Sequence, residues 1–143
     1  NTIMKRVIVD TNVILSGLKS AKGSSFKLLS LIPENRFEIL LSVPLVMEYE
    51  AVLLKHLKLL GLSKNDIDDF IDYLCKISIH HKIYYLWRPF LKDPYDDHIL
   101  ELAVAASADF IITFNIKDFD GTEKFGIRVI EPDEFLNIIG EKI

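Results

Sequence analysis

The sequence predicts an α/β fold with three layers, in which a central, mainly parallel sheet of about five strands lies between helices. Three observations support this. Short apolar segments rich in β-branched residues alternate with segments of helical periodicity. The first apolar segment is continuous rather than alternating in polarity, which is typical of parallel strands covered on both faces. It also ends abruptly on an acid, Asp10.

The chain has the size of one domain. Its 143 residues, of which 50% are hydrophobic, are enough to bury a core and too apolar for disorder. We expect Met4 to be the natural start, residues 4–143 to form a single domain, and residues 1–3 to be a cloning remnant. No apolar run reaches the roughly 18 residues of a membrane span, no signal peptide is recognisable, and the single cysteine has no internal partner. We therefore expect a cytoplasmic protein without membrane contact.

The first half of the chain predicts two strands and three helices. Residues 6–10 form the first strand, and residues 11–18 turn into the first helix. Ser24 or Ser25 is expected to cap a helix over residues 26–32.

A second strand follows over residues 37–41. Its helix is expected to begin near Ser42 or Val43, with Pro44 in the first turn, and to run over residues 45–60 until Gly61.

The second half of the chain continues the alternation of helices and strands. An approximate capping box at Ser63 and Asp66 predicts a helix to about Lys76, and a strand interrupted by His80 and His81 is expected within residues 77–84. A helix from Asp93-Pro94 to about Ser107 follows. Strands over residues 109–113 and 126–130 and a closing helix over residues 132–139 complete the prediction.

Five acids share a position where a strand ends or a helix begins: Asp10, Glu48, Asp96, Asp97 and Asp118. Ligands of open parallel sheets bind at the carboxyl ends of the strands. Carboxylate oxygens suit hard cations such as Mg²⁺ and Mn²⁺. Such cations orient water, lower its pKa and neutralise charge during phosphodiester hydrolysis. The pattern therefore indicates a carboxylate site for a divalent cation.

Each of these acids also has a purely structural explanation. Asp10 can cap the following helix, and Glu48 can be a solvated helix residue. Asp96 and Asp97 suit the dipole of a helix that Asp93 caps, whereas Asp118 suits a turn. However, two adjacent acids with a third just before them exceed what a cap requires, and a cation would relieve their repulsion.

Other kinds of site are less well supported. A net charge of −4 argues against binding nucleic acid by bulk electrostatics alone, but not against an enzyme whose carboxylates bind cations. His80 and His81 would point to opposite faces of a strand and so would not share one ion. We find no zinc-type spacing, Gly-rich phosphate loop or serine elbow.

The chain resembles the PIN-domain nucleases, particularly the prokaryotic branch related to VapC toxins of toxin–antitoxin systems. The matching parts occur in the family's order over nearly the whole chain: residues 9–13, Glu48 in the helix after the second strand, and residues 93–103, 108–115 and 130–136. The resemblance implies a PIN-like fold and an endoribonuclease that depends on Mg²⁺ or Mn²⁺. Its implied partners are RNA, expected to be single-stranded, and an antitoxin protein.

The resemblance also assigns the acids. The family's first acid falls on Asp10, its helix acid on Glu48, and its third on Asp96 or Asp97. The position of the fourth acid holds Asn115 here, which puts a second metal in doubt and leaves Asp118 as the candidate.

The resemblance further implies roles around these acids. Residues implied to orient water or phosphate are Thr11, Asn12, Thr113 and Asn115, and candidates for contact with the RNA backbone are Lys19, Lys22 and Lys117. The leucine-rich stretch over residues 53–60 suggests a homodimer.

Two alternatives stay open. The chain could be a PIN-fold module that binds RNA or a partner protein without turnover, which Asn115 favours. A phosphatase of the haloacid-dehalogenase type also begins with an acid at a strand end. That chemistry needs a second Asp two residues later, where this chain has Asn12.

Overall fold

The computed structural model describes residues 4–80 and 97–141. The helices and strands in these ranges are β1 (Arg6–Val9), α1 (Thr11–Lys19), α2 (Ser24–Leu31), β2 (Glu38–Leu41), α3 (Val43–Lys55), α4 (Leu57–Leu60), α5 (Lys64–Ile77), β3 (Ile79–His80), α6 (Asp97–Ala105), β4 (Phe110–Ile112), β5 (Arg128–Ile130) and α7 (Pro132–Ile138). Short 3₁₀ turns lie at Ile32–Glu34, Ile116–Phe119 and Thr122–Phe125.

The strands form one parallel sheet in the order β3-β2-β1-β4-β5. Val7 in the central strand pairs with Ile39 on one side and with Phe110 on the other. After β1 the chain builds β2 and β3 on one side, and it then returns to build β4 and β5 on the other. The point where the strand order reverses is a usual ligand site in such sheets, and it lies here at the carboxyl end of β1. The predicted α/β fold class is confirmed.

The central strands are buried on both faces, as their continuous apolar sequence predicts. Val7, Ile8 and Val9 of β1 and Ile111 and Ile112 of β4 are inaccessible to solvent. Helices flank the sheet and add further large core side chains, which include Ile14, Leu28, Tyr49, Leu53, Ile67, Leu74, Leu100 and Phe135. This apolar burial is the main stabilising contribution to the fold.

Several predicted helix boundaries are confirmed. Ser42 caps α3 by accepting a 3.3 Å hydrogen bond from the backbone of Leu45. Ser63 and Asp66 form a reciprocal capping box at the start of α5, with hydrogen bonds of 2.8 and 3.1 Å. Gly61 ends α4 with a φ of 68°, in the left-handed region where glycine is favoured.

Two predictions in the first half are wrong in detail. No serine side chain caps α2, because the helix begins at Ser24 and its N-cap is Gly23 with a φ of 94°, a conformation that residues with a Cβ rarely adopt. The single helix expected over residues 45–60 is two helices, because the backbone of His56 leaves the helical region at φ −119° and ψ 23°.

The remaining boundaries agree in part. Of the strand predicted within residues 77–84, the described part is β3, and His81 lies outside the described residues. The predicted helix start at Asp93-Pro94 also lies outside them, and α6 ends at Ala105, two residues before the predicted end. None of the helices described here combines the length and apolar character that a membrane span requires.

Candidate active site at the carboxyl edge of the sheet

Asp10 lies immediately after β1, at the centre of the carboxyl edge. Its backbone N–H extends the pairing of β1 with β4 by donating to the carbonyl of Ile112 at 2.9 Å. Its Oδ1 accepts a 2.8 Å hydrogen bond from the backbone of Thr11, so Asp10 is the N-cap of α1. The structural explanation is therefore correct, and the carboxylate still lies at the strand-order reversal. Only 7% of Asp10 is exposed.

Thr113 holds the second oxygen of this carboxylate. Its hydroxyl group donates to Oδ2 of Asp10 at 2.7 Å, and it accepts hydrogen bonds from Nδ2 of Asn12 at 3.3 Å and the backbone of Asn115 at 3.0 Å. Oδ1 of Asn12 accepts from the backbone of Phe114 at 3.3 Å. The predicted orienting residues thus lie in one network, which Asn115 joins through its backbone.

Glu48 reaches the same network from the second turn of α3. The hydroxyl group of Thr11 donates to Oε2 of Glu48, and Nε2 of His98 lies 3.1 Å from Oε1. Thr11 therefore connects the two acids, since its N–H contacts Asp10 and its hydroxyl group contacts Glu48. The structure brings together Asp10 and Glu48, as the sequence predicts.

The surroundings shift the pKa values of the two acids in opposite directions. Burial, with a smaller effect of the nearby Glu48 charge, raises the pKa of Asp10 above its ordinary value, although hydrogen bonds from Thr113 and Thr11 oppose the shift. Burial also acts to raise the pKa of Glu48, but hydrogen bonds from His98 and Thr11 outweigh it and the pKa is lowered.

Neither of these two acids is neutralised by a strong base in the described part of the chain. No lysine or arginine side chain there forms an ion pair with Asp10 or Glu48, and the basic side chain in contact with Glu48 is the imidazole of His98. Two negative groups are therefore held close together at a largely buried edge, which is an unfavourable arrangement that a cation would relieve.

Of the other predicted acids, the structure describes the positions of Asp97 and Asp118. Asp97 is buried in the first turn of α6, directly before His98. Asp96 lies outside the described residues. Asp118 is half-buried in the 3₁₀ turn after β4, where its backbone donates to the carbonyl of Asn115 at 3.0 Å. No hydrogen bond or ion pair in the described ranges joins Asp118 to Asp10 or Glu48, so this geometry favours its turn role.

The two central acids fit a hard divalent cation, although they do not form a complete cage. Within residues 4–80 and 97–141, no group of three or more His, Cys, Asp or Glu side chains is arranged to hold a metal ion. Mg²⁺, however, commonly takes one or two protein carboxylates and completes its shell with water and substrate phosphate. Asp10 and Glu48 supply this kind of donor set.

The predicted basic contacts are only partly near this edge. Lys19 is the last residue of α1, and at about 1.5 Å per residue it lies roughly 13 Å along the helix axis from Asp10. Lys22 follows it. Lys117, in contrast, lies in the turn directly after Asn115. Of these three lysines, Lys117 is therefore the one beside the site.

Sequence reasoning assigned no role to two residues of this site. His98 contacts Glu48. The buried Tyr49 donates its hydroxyl hydrogen to the carbonyl of Val9, the residue before Asp10. Burial, together with the charges of Asp10 and Glu48, raises the pKa of Tyr49 well above its usual range, so it stays a donor. The sequence signals that could have identified them are that Tyr49 follows Glu48 and that His98 follows Asp97.

Comparison with known proteins agrees with this architecture. The family model for the PIN domain matches residues 6–117. The crystal structure of VapBC2 from Rickettsia felis bound to a DNA fragment from their promoter is similar in fold, with a TM-score of 0.58 and 18% sequence identity over 88% of this chain and 97% of that chain. No curated protein matches the sequence. Since the family match spans the elements that carry Asp10, Glu48 and Thr113, the chain belongs to the PIN domain family.

Proposed function

We propose that the protein is a metal-dependent endoribonuclease that hydrolyses phosphodiester bonds of RNA. The observation that carries the proposal is the pair of carboxylates, Asp10 and Glu48, held together by Thr11 at the strand-order reversal without a lysine or arginine partner among the described residues. PIN domains are generally nucleases and typically use divalent metal ions. Membership of the family therefore supports the same conclusion.

In this proposal Asp10 and Glu48, with Asp96 or Asp97, hold Mg²⁺ or Mn²⁺. When bound, such an ion activates a water molecule and offsets the charge that develops on the phosphate. Thr11 and Thr113 keep both carboxylates in fixed orientations. The lowered pKa of Glu48 keeps that group ionised near neutral pH. Asn12 and Asn115 orient water or phosphate, and Asp118 is a remaining candidate for the catalytic set.

The proposed substrate is single-stranded RNA. Phe114 follows Thr113 directly and is 40% exposed, so its ring is available to an unpaired base at the edge of the site. Val43 and Met47, on the first turns of α3, are also exposed. α3 follows β2, Phe114 follows β4, and these two strands flank β1. Apolar surface therefore lies on both sides of the acids. Lys117 can contact a phosphate.

We further propose that the protein is the toxin of a toxin–antitoxin pair, acts in the cytoplasm and forms a homodimer. The fold similarity to VapBC2 supports an antitoxin partner. In the leucine-rich stretch, Leu59 is exposed and is available to a dimer interface, whereas Leu53 is in the core and is not. Light scattering of the purified protein, alone and with the product of a neighbouring short gene, tests the homodimer and the antitoxin partner.

Release of fragments from end-labelled single-stranded RNA tests the proposed activity. We expect cleavage with Mn²⁺ or Mg²⁺, loss of cleavage with EDTA, and no cleavage by Asp10→Asn. Activity that survives Asp10→Asn would contradict the assignment of the site. Tight RNA binding without cleavage in either metal would instead favour the alternative of a binding module. The phosphatase alternative needs an Asp at the position of Asn12. It has no support, because Asn12 forms hydrogen bonds with Thr113 and Phe114 instead.

A further inference from the structure

Glu48 is restrained on both of its carboxylate oxygens by residues of other helices. The hydroxyl group of Thr11, from α1, donates to Oε2. Nε2 of His98, from α6, lies 3.1 Å from Oε1. A glutamate on a helix surface ordinarily samples several rotamers. The two contacts from two directions hold the Glu48 carboxylate on the side of α3 that faces Asp10.

The imidazole ring of His98 is built into this position. It belongs to the first turn of α6, and the residue is 8% exposed. Because an ionised carboxylate can only accept hydrogen bonds, Nε2 must carry the hydrogen of this contact. Nδ1 is buried and has no hydrogen-bond partner among the described residues. Within this part of the chain, the ring therefore directs its hydrogen bonding to Glu48.

We propose that His98 is a positioning residue that holds the Glu48 carboxylate in the orientation needed to bind a divalent cation together with Asp10. This inference rests on the proposed metal centre and adds a residue to it. His98 acts through Glu48 and does not itself touch the ion or the RNA. Residues that orient metal ligands in this way typically contribute a factor of about 10–100 to metal affinity.

Two amide substitutions separate this role from general packing. The side-chain NH₂ of Gln can reach the place of Nε2, whereas that of Asn lies closer to the place of Nδ1. Calorimetric titration of the full chain with Mn²⁺ should therefore show affinity reduced by about 10–100-fold in His98→Asn. His98→Gln should keep most of the wild-type affinity. Thermal unfolding without metal should be similar for the two variants.

The possible negative results distinguish a failure of the role of His98 from a failure of the proposed metal centre. If His98→Asn binds Mn²⁺ as tightly as the wild type, the role of His98 is overturned and the metal centre stands. Equal losses in the Asn and Gln variants would also overturn it, because a contact through Nε2 predicts a difference. If the wild type binds no Mn²⁺, the proposed metal centre itself fails.

A measurement on the wild type avoids the risk that a variant does not fold. Long-range ¹H–¹⁵N spectra of the histidine rings distinguish which nitrogen carries hydrogen. We expect His98 to carry hydrogen on Nε2 at neutral pH. A ring with hydrogen on Nδ1 alone could not donate to Glu48 and would overturn the proposal.

Discussion

The hydroxyl group of Thr113 donates a 2.7 Å hydrogen bond to Oδ2 of Asp10 across 103 positions of sequence. Sheet register brings the two residues together. Val9 pairs with Ile112 in the parallel β1–β4 ladder, so the next residue of each strand lies at the same level of the carboxyl edge. The site is therefore a product of the register of the two central strands.

Replacing Thr113 by Val should damage the site while keeping the shape of the side chain. Asp10 would lose a buried donor, and Asn12 and Asn115 would lose their shared acceptor. We expect a loss of about 1–3 kcal/mol in the free energy of unfolding and at least a tenfold slower RNA cleavage. Urea unfolding and cleavage kinetics measure these effects. Thr113→Ser keeps the hydroxyl group, so a Val variant that behaves like it would contradict the role of this hydrogen bond.

Asp10 should make the stability of the metal-free protein decrease with rising pH. Its pKa is raised in the folded state from an ordinary value of 3.8. The folded state therefore binds the proton more tightly than the unfolded state. The relative cost of ionising Asp10 is absent below the unfolded pKa, and it develops as pH rises above about 3.8 and through the higher pKa of the folded state.

Comparison with Asp10→Asn isolates this contribution. The free energy of unfolding of the wild type minus that of the variant should fall between pH 3.5 and pH 7, measured by urea unfolding in EDTA. Since Asn does not ionise, a pH-independent effect of the substitution shifts this difference equally at every pH and does not alter its change with pH. A difference that rises with pH would show that the pKa of Asp10 is lowered instead.

Phe114 should contribute to binding of unpaired RNA rather than to the chemical step. Its exposed ring lies beside Thr113, and stacking of one base on an aromatic ring contributes about 1–3 kcal/mol. Phe114→Ala should raise KM for single-stranded RNA by roughly 5–150-fold with kcat little changed, and Phe114→Trp should keep KM near the wild-type value. Equal KM values for the Ala and Trp variants would exclude a stacking role.

Tyr49 should stabilise the fold at the end of β1, next to Asp10. Its buried hydroxyl group donates to the carbonyl of Val9, and Tyr49→Phe leaves that carbonyl without its side-chain donor. We expect the free energy of unfolding to fall by about 1–2 kcal/mol. Tyr73→Phe is the matched control, because Tyr73 is exposed and should change stability by less than about 0.5 kcal/mol. Urea unfolding of both variants checks this, and equal effects would contradict it.

Local signals in the sequence predicted much of this structure. The continuous apolar run that ends at Asp10 indicated both a buried parallel strand and a site at its end. Ser42 and Ser63 indicated helix starts, because their caps are local contacts. The break at His56 and the N-cap of α2 at Gly23 were not visible, since apolar periodicity does not report a local change of φ and ψ.

The contacts within the site were less predictable. The pairing of Thr113 with Asp10 depends on strand register, and the contact of His98 with Glu48 depends on how α6 packs near α3. Neither leaves a periodic pattern in the chain. The acids of the candidate site were predictable, whereas the residues that hold them in place required the structure.

Stabilisation of the fold by Mn²⁺ tests the central claim most directly, because the claim is that Asp10 and Glu48 bind a divalent cation. At a free Mn²⁺ concentration about 100 times its dissociation constant, the free energy of unfolding of the wild type should rise by about 2.7 kcal/mol. Asp10→Asn and Glu48→Gln, measured at the same Mn²⁺ concentration, should show little or no increase. No increase in the wild type, or an equal increase in all three proteins, would contradict a metal centre at these two residues.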